Sequence, residues 1–154
     1  MCHIDNGLAS KFYYLSNGLY FNNPIYLTNN NIMLNRILVL DDNQDVLDTV
    51  EETLSYENFQ VLVTSDSNNI IEIAKIFRPD LFVLDYKISG RKSEEICRQI
   101  KWHPQFGQVP VILSSSYFHK GINYENLGCD DVIVKPFGMD ELVGKVNNLV
   151  TARA

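Results

Sequence analysis

Several ionisable side chains stand directly after apolar runs of the sequence. Asp41 and Asp42 follow one run, Asp85 ends a second, and Lys135 follows a third. Carboxylate oxygens bind hard divalent cations such as Mg²⁺, and a carboxylate can also act as a nucleophile. Because neighbouring carboxylates repel one another, a cation must accompany them, and both Mg²⁺ and the Lys135 ammonium group qualify.

A run of hydroxyl side chains follows another apolar segment. Ser114, Ser115 and Ser116 come directly after Pro110-Val111-Ile112-Leu113. A hydroxyl group that lies beside a metal and a lysine can donate a hydrogen bond to a phosphoryl oxygen. If Asp85 is the nucleophile at such a place, the product is an acyl phosphate. Any of the three serines can supply this hydroxyl.

The elements that position these residues follow from the apolar pattern. Short apolar runs predict five strands, and segments with helical spacing of apolar residues follow them. We place the strands at 37–40, 59–64, 81–84, 110–113 and 132–134. This alternation predicts an α/β fold of the flavodoxin-like type, a doubly wound parallel sheet of order 2-1-3-4-5 with helices on both faces. The strands' carboxyl ends then share one edge, where ligands gather.

Composition and charge limit the classes of function. The chain has 154 residues, 45% of them hydrophobic, and a net charge of -6, which argues against direct nucleic-acid binding. No apolar run is long enough for a membrane helix. The cysteines are odd in number and lack metal-ligand spacing, which predicts free thiols in the cytoplasm. Cys97 and Cys129 are interpreted as small buried hydrophobic residues.

The segment 1–34 differs from the rest of the chain. It is rich in asparagine and aromatic residues, and Asp5 and Lys11 are its only charged side chains. Asn-Gly, Asn-Asn and Asn-Pro pairs interrupt every periodic pattern. We predict an extension that is disordered or loosely attached, followed by one domain at 35–154. Met33 stands directly before the first strand. An alternative interpretation is therefore that the segment is an upstream extension of a domain that naturally begins at Met33.

From about Arg36 onward the chain resembles the receiver domain of two-component response regulators. The resemblance rests on four segments in family-like order and spacing: Ile37-Leu38-Val39-Leu40-Asp41-Asp42-Asn43, Leu81-Phe82-Val83-Leu84-Asp85, Pro110-Val111-Ile112-Leu113-Ser114-Ser115 and Lys135-Pro136-Phe137. It implies that Asp41, Asp42, Asp85 and the carbonyl of Lys87 hold Mg²⁺. It also implies a cis peptide bond between Lys135 and Pro136.

The same resemblance implies a function. Asp85 would accept a phosphoryl group from a histidine kinase or a histidine phosphotransfer protein, with Ser115 and Lys135 binding it. We expect a stand-alone phosphorylation switch that is not an enzyme toward other substrates. Its downstream partner would be a protein that binds the face formed by the fourth helix, fifth strand and fifth helix of the receiver.

The chain departs from the family pattern near Asp85 and before Lys135. Ser89 and Ser93 replace the proline and glycine that the family usually has, and Lys87 places a flexible cation beside the acceptor. Val132 stands where an aromatic side chain often reports phosphorylation. These departures favour a first alternative, a degenerate receiver that acts as a constitutive interaction module.

The second alternative is a small Mg²⁺-dependent phosphohydrolase. Such an enzyme of the haloacid-dehalogenase kind needs a second aspartate two residues after the first, and Lys87 occupies that position. The residues also have structural interpretations: Asp41-Asp42 as the N-cap pair of the first helix, and Ser115 as an ordinary polar strand end. Trp102 is predicted to pack rather than to bind.

Overall fold

A computed structural model describes residues 13–15, 18–20, 34–88, 91–116, 126 and 128–152. The chain divides into two compact units, residues 1–33 and 34–154. In the first unit, β1 (Tyr13–Leu15) and β2 (Gly18–Tyr20) form an antiparallel pair. The sequence did not predict this pair, because three residues are too few to establish alternation. The disordered or loosely attached character of segment 1–34 stays a prediction.

The second unit contains a parallel sheet of five strands. They are β3 (Arg36–Leu40), β4 (Gln60–Thr64), β5 (Leu81–Asp85), β8 (Val111–Ser115) and β9 (Asp131–Val134). Their spatial order is β4-β3-β5-β8-β9, which is 2-1-3-4-5 when these strands are counted along the chain. All four pairings are parallel, so the predicted fold class and strand order are confirmed.

Helices connect the strands. They are α1 (Gln44–Tyr56), α2 (Ile70–Phe77), α3 (Ser93–Trp102) and α4 (Met139–Thr151). The strands β6 (Lys87–Ile88) and β7 (Arg91–Lys92) form a short antiparallel pair between β5 and α3. The fourth helix expected of the receiver would fall between β8 and β9, in segment 117–127, where the structure describes Asn126 alone. None of the described helices is long and apolar enough to cross a membrane.

The sheet is buried on both faces because its strands carry apolar residues at successive positions. On one face, Val39 and Val83 join a core cluster with Leu54 of α1 and Val146 of α4. The alternate strand residues face the other side, where Phe82 meets Phe106 edge-on at 6.0 Å between ring centroids. Burial on both faces fixes the strand register, and the register fixes where each strand ends.

The ends of α1 and α3 carry residues with unusual conformation or exposure. Asn58, two residues after the end of α1, has a φ of 64°, a left-handed conformation that asparagine tolerates and that often follows a helix. Trp102 at the end of α3 is 82% exposed, so the prediction that it packs is wrong. The α3 side chains that pack are Ile96, Cys97 and Ile100, and a residue two positions after Ile100 points away from that face.

Candidate functional site

The candidate site lies at the carboxyl edge of the parallel sheet. Asp41 follows β3 directly, Asp85 is the last residue of β5, and Lys135 follows β9 directly. β5 pairs with β3 on one side and with β8 on the other, and β8 pairs with β9. Aligned parallel strands therefore bring together residues that are up to 94 positions apart in sequence.

Lys135 bridges two of the carboxylates. Its Nζ donates a hydrogen bond of 2.6 Å to Asp41 Oδ2 and one of 3.0 Å to Asp85 Oδ1. The backbone N–H of Lys135 donates to the carbonyl oxygen of Ser115 at 2.8 Å, which anchors the lysine to the end of β8. Asp41 is 3% exposed and Asp85 is 6% exposed, so both carboxylates would be costly to bury without this cation.

Burial and charge oppose each other at this site. Burial raises the pKa of Asp85, and the hydrogen bond and charge of Lys135 reduce that rise without cancelling it. For Lys135, burial lowers the pKa, but hydrogen bonds to Asp41 and Asp85 outweigh burial and the pKa is raised overall. The lysine is therefore held as an ammonium ion beside a carboxylate that is incompletely compensated.

The donor set fits a hard divalent cation. Asp41, Asp42 and Asp85 each offer a carboxylate oxygen, and these oxygens lie within 4.8 Å of one another. Asp42 is exposed, whereas the other two aspartates are buried, so the set opens to solvent on the Asp42 side. Oxygen donors with room for water are what Mg²⁺ requires. The three predicted carboxylate ligands thus lie together, as expected.

A pocket of about 420 Å³ opens over these carboxylates. Its wall combines acidic, basic and hydroxyl groups with a small apolar patch, contributed by Asp41, Asp42, Asn43, Val46, Asp85, Lys87, Ile88, Ser116 and Lys135. Lys87 is exposed on β6, so its side chain adds a second positive charge to the rim. The role of the Lys87 carbonyl as a metal ligand stays a prediction.

The three serines occupy different places. Ser116 lines the pocket, and Ser115 lies one residue earlier at the end of β8, where it is 1% exposed. Ser114 is buried, and its hydroxyl has no hydrogen-bond partner among the described residues. Ser115 lies at the carboxyl edge with Asp85, but its assignment as the phosphate-binding hydroxyl stays a prediction. Ser116 shares the pocket wall with Lys135.

Asn43, rather than the acidic pair, caps α1. Its side-chain oxygen accepts hydrogen bonds from the backbone N–H groups of Asp45 at 3.0 Å and Val46 at 3.4 Å. The Asn43 N–H in turn donates to Asp41 Oδ1 at 2.9 Å. The alternative that Asp41-Asp42 is the N-cap pair is therefore wrong, since Asn43 takes that position and leaves the other oxygen of Asp41 to Lys135.

Ser93 is a residue whose contact with the site the sequence did not reveal. It is 1% exposed, and its hydroxyl donates to the backbone carbonyl oxygen of Asp85 at 2.6 Å and is also within hydrogen-bond reach of the Tyr86 carbonyl oxygen. A second contact links the same two elements: the Tyr86 hydroxyl donates a hydrogen bond of 3.2 Å to the Glu94 carboxylate. The start of α3 is therefore fastened to the end of β5.

The structure also bears on the residues that flank Lys135. The peptide bond between Lys135 and Pro136 is cis, as predicted. Val132 lies on β9, paired with Leu113 of β8, and is partly buried. The departure at Ser89 lies outside the described residues.

Comparison with known proteins agrees with this geometry. The family model of the response regulator receiver domain matches residues 37–147. The chemotaxis response regulator CheY4 of Vibrio cholerae superposes with a TM-score of 0.71 at 18% identity, covering 75% of this chain and 98% of that one. The signal receiver domain of a signal transduction histidine kinase from Syntrophus aciditrophicus gives 0.71 at 22% identity, covering 77% and 91%.

At these identities the solved structures establish the fold, and the family model, which spans most of the chain, establishes the family. It matches the stretch that contains Asp41, Asp42, Asp85 and Lys135. The chain therefore belongs to the response regulator receiver domains of two-component systems.

Proposed function

We propose that this chain is a phosphoacceptor receiver in which Asp85 accepts a phosphoryl group from the histidine of a kinase or phosphotransfer protein. The observation that carries the proposal is the position of Lys135, within 2.6 Å of Asp41 and 3.0 Å of Asp85. Two buried carboxylates and one ammonium group provide a nucleophile and a cation at one place. The family membership of the chain supports the same role.

The transfer step is a displacement at phosphorus. A carboxylate oxygen of Asp85 attacks, the bond from phosphorus to the imidazole nitrogen breaks, and Asp85 becomes an acyl phosphate. Lys135 can exchange its hydrogen bond to Asp85 for one to a phosphoryl oxygen, because Asp41 continues to hold its ammonium group. Mg²⁺ bound by Asp41, Asp42 and Asp85 would neutralise charge on the phosphoryl oxygens.

We assign the phosphate-binding hydroxyl to Ser115 and treat Ser116 as its competitor. The carbonyl oxygen of Ser115 accepts a hydrogen bond from the backbone N–H of Lys135. A movement of Ser115 toward a phosphoryl group would therefore be coupled to a movement of Lys135. The Ser115→Ala variant should accept phosphate more slowly than Ser116→Ala. The opposite order would transfer the role to Ser116.

Signal output is proposed to run through protein binding. The candidate surface is the predicted face of fourth helix, fifth strand and fifth helix, of which the structure describes the strand β9 and the helix α4; Val134 on β9 is 39% exposed. The net charge of -6 supports a protein partner rather than a nucleic acid. The free thiols of Cys97 and Cys129 support a cytoplasmic location.

We also propose that the chain does not turn over phosphate esters. Lys87 stands two residues after Asp85, where a phosphohydrolase of the dehalogenase kind needs an acidic group to protonate the leaving oxygen. Steady release of phosphate from an ester would contradict this, whereas acceptance of a single phosphoryl group would not.

The test is the intact mass of the protein after incubation with Mg²⁺ and acetyl phosphate. The wild type and Asp140→Asn, a charge-matched change on exposed α4, should each gain one phosphoryl group, and Asp85→Asn should gain none. A folded wild-type protein that gains no mass would reject the acceptor role and favour the constitutive interaction module. Gain of mass by Asp85→Asn would place the acceptor elsewhere.

A further inference from the structure

Two cysteines from different elements meet on the side of α3. Cys97 of α3 is fully buried, and Cys129 in the loop before β9 is partly exposed. Their sulfur atoms lie 3.4 Å apart, and both thiols are free. A disulfide bond is about 2.05 Å long, so the sulfurs are about 1.4 Å from bonding distance.

A salt bridge holds the Cys129 loop against α3. Lys101, one helical turn after Cys97, donates hydrogen bonds to Asp130 Oδ2 at 2.7 Å and to the Val109 carbonyl oxygen at 3.0 Å. Asp130 Oδ2 also accepts from the backbone N–H of Val111 at 2.8 Å. The residue next to Cys129 is thus fixed to both α3 and β8, so the approach of the sulfurs does not depend on the thiols alone.

The two thiols are not equivalent. The hydrogen bond between the two thiols lowers the pKa of Cys129, and the positive charge of Lys101 acts in the same direction against burial. The same hydrogen bond, together with burial, raises the pKa of Cys97. Cys129 is also the more exposed of the two. A thiolate is the reactive form of cysteine, so Cys129 is the nucleophile and Cys97 the resolving thiol.

We propose that Cys97 and Cys129 form a redox-responsive pair that a hydroperoxide converts into an intramolecular disulfide. The Cys129 thiolate attacks the terminal peroxide oxygen, the O–O bond breaks, and a sulfenic acid forms while hydroxide (or an alkoxide, from an alkyl hydroperoxide) leaves and takes up a proton. The Cys97 sulfur then attacks the sulfenic sulfur, which releases water as the S–S bond forms. With hydrogen peroxide, two thiols lose two electrons, and two water molecules result.

The disulfide would join α3, the helix that follows Asp85, to the loop before β9, the strand that precedes Lys135. α3 begins at Ser93, which binds the Asp85 carbonyl oxygen, and β9 leads directly to Lys135. Neither cysteine lines the pocket. The proposal rests on the geometry of the thiols and does not require that Asp85 accepts phosphate.

The experiment treats the full chain with hydrogen peroxide and then labels remaining thiols with N-ethylmaleimide under denaturing conditions. The reduced protein should take three labels, one for each cysteine of the sequence. The oxidised protein should take one, with a mass lower by two hydrogen atoms before labelling. Peptide mapping without reductant should find Cys97 linked to Cys129, and dithiothreitol should restore all the labels.

Single variants test which thiol attacks the peroxide and which one resolves the sulfenic acid. Cys2→Ser should oxidise like the wild type and serves as the matched control. Cys97→Ala should stop at a sulfenic acid on Cys129 that dimedone traps, and Cys129→Ser should react with peroxide roughly tenfold more slowly than the wild type. Circular dichroism confirms that each variant is folded before the comparison.

Three outcomes would overturn the proposal. They are full labelling of the folded wild type after peroxide treatment, a disulfide that includes Cys2, and covalent dimers in place of the internal link. Trapping of the sulfenic acid on Cys97 rather than Cys129 would overturn the assignment of the nucleophile.

Discussion

The hydroxyl group of Ser93 donates a hydrogen bond of 2.6 Å to the backbone carbonyl oxygen of Asp85. The contact joins the first residue of α3 to the last residue of β5. Because both residues are buried, this carbonyl has little access to water as a substitute partner. Ser93 thus positions the backbone of Asp85, the proposed acceptor residue, without touching its carboxylate.

Replacing Ser93 with alanine should destabilise the protein and slow phosphorylation. Loss of one hydroxyl leaves the carbonyl oxygens of Asp85 and Tyr86 without this donor, which costs about 1–2 kcal/mol in the free energy of unfolding. We expect a several-fold lower rate of phosphoryl acceptance with little change in affinity for the donor. Urea unfolding and time-resolved intact mass measure the two effects.

Two variants serve as controls for Ser93. Ser116→Ala removes an exposed hydroxyl and should leave stability within about 0.5 kcal/mol of the wild type. Ser93→Thr keeps the donor and should recover most of the rate, although the added methyl group crowds a buried position. Equal rates in Ser93→Ala and the wild type would limit Ser93 to a structural role.

Removing the Lys135 ammonium group should make stability depend more strongly on Mg²⁺. In Lys135→Met the buried carboxylates of Asp41 and Asp85 lose their shared cation, which we expect to cost about 2–3 kcal/mol without divalent ions. Mg²⁺ binds the folded state and should restore more stability to Lys135→Met than it adds to the wild type. Urea unfolding with EDTA and with millimolar Mg²⁺ gives both quantities.

Lys135→Arg is the matched control, since it keeps the positive charge. It should resemble the wild type in its response to Mg²⁺ more closely than Lys135→Met does. If Mg²⁺ shifts the unfolding midpoint of none of these proteins, the carboxylates do not form a metal site.

Asp85→Asn should stabilise the metal-free protein at neutral pH. Burial raises the pKa of Asp85, so this group favours folding fully below its unfolded value of 3.8, and that contribution is lost as pH rises through the raised value. Removing the charge should therefore raise the free energy of unfolding near pH 7 and change it much less near pH 4. Urea unfolding in EDTA measures the difference at each pH.

Asp140→Asn provides the comparison for a charge change on an exposed position. Its effect on stability should be small and should not follow the pH dependence seen at Asp85. If Asp85→Asn lowers stability at neutral pH, then the hydrogen bond from Lys135 outweighs burial, and the pKa of Asp85 is lowered rather than raised.

Arg78→Gly should stabilise the protein. Arg78 ends α2 with a φ of 55°, a left-handed conformation that costs a side-chain-bearing residue about 1 kcal/mol and costs glycine nothing. We expect a gain of about 0.5–1 kcal/mol in thermal or urea unfolding. Asn58→Gly, at a φ of 64°, should gain less because asparagine tolerates this conformation. A larger gain at Asn58 than at Arg78 would contradict the argument.

The sheet and its charged edge could be predicted because their causes lie close together in the sequence. Leu81 to Leu84 form an unbroken apolar run that is typical of a strand buried on both faces, and Asp85 follows at its end. The contact between Cys97 and Cys129 could not be predicted in this way. It depends on how the loop before β9 lies against α3, which no pattern within either segment specifies.

The Ser93 contact and the cap of α1 were missed for a related reason. A serine at the start of a helix is usually a cap, and its sequence position does not show that it reaches two carbonyl oxygens of the preceding strand. Asn43 was overlooked because Asp41 and Asp42 are equally good capping residues by type. In the structure Asp41 is engaged elsewhere, because Lys135 binds one of its oxygens from 94 residues away in the sequence.

The exposed indole of Trp102 gives the protein an intrinsic optical probe. The sequence contains a single tryptophan, and 82% of its surface meets solvent at the end of α3. Its emission is therefore that of a hydrated indole and accessible to quenchers. Any molecule that covers this end of α3 would shift the emission to shorter wavelength, so binding there can be followed without a label.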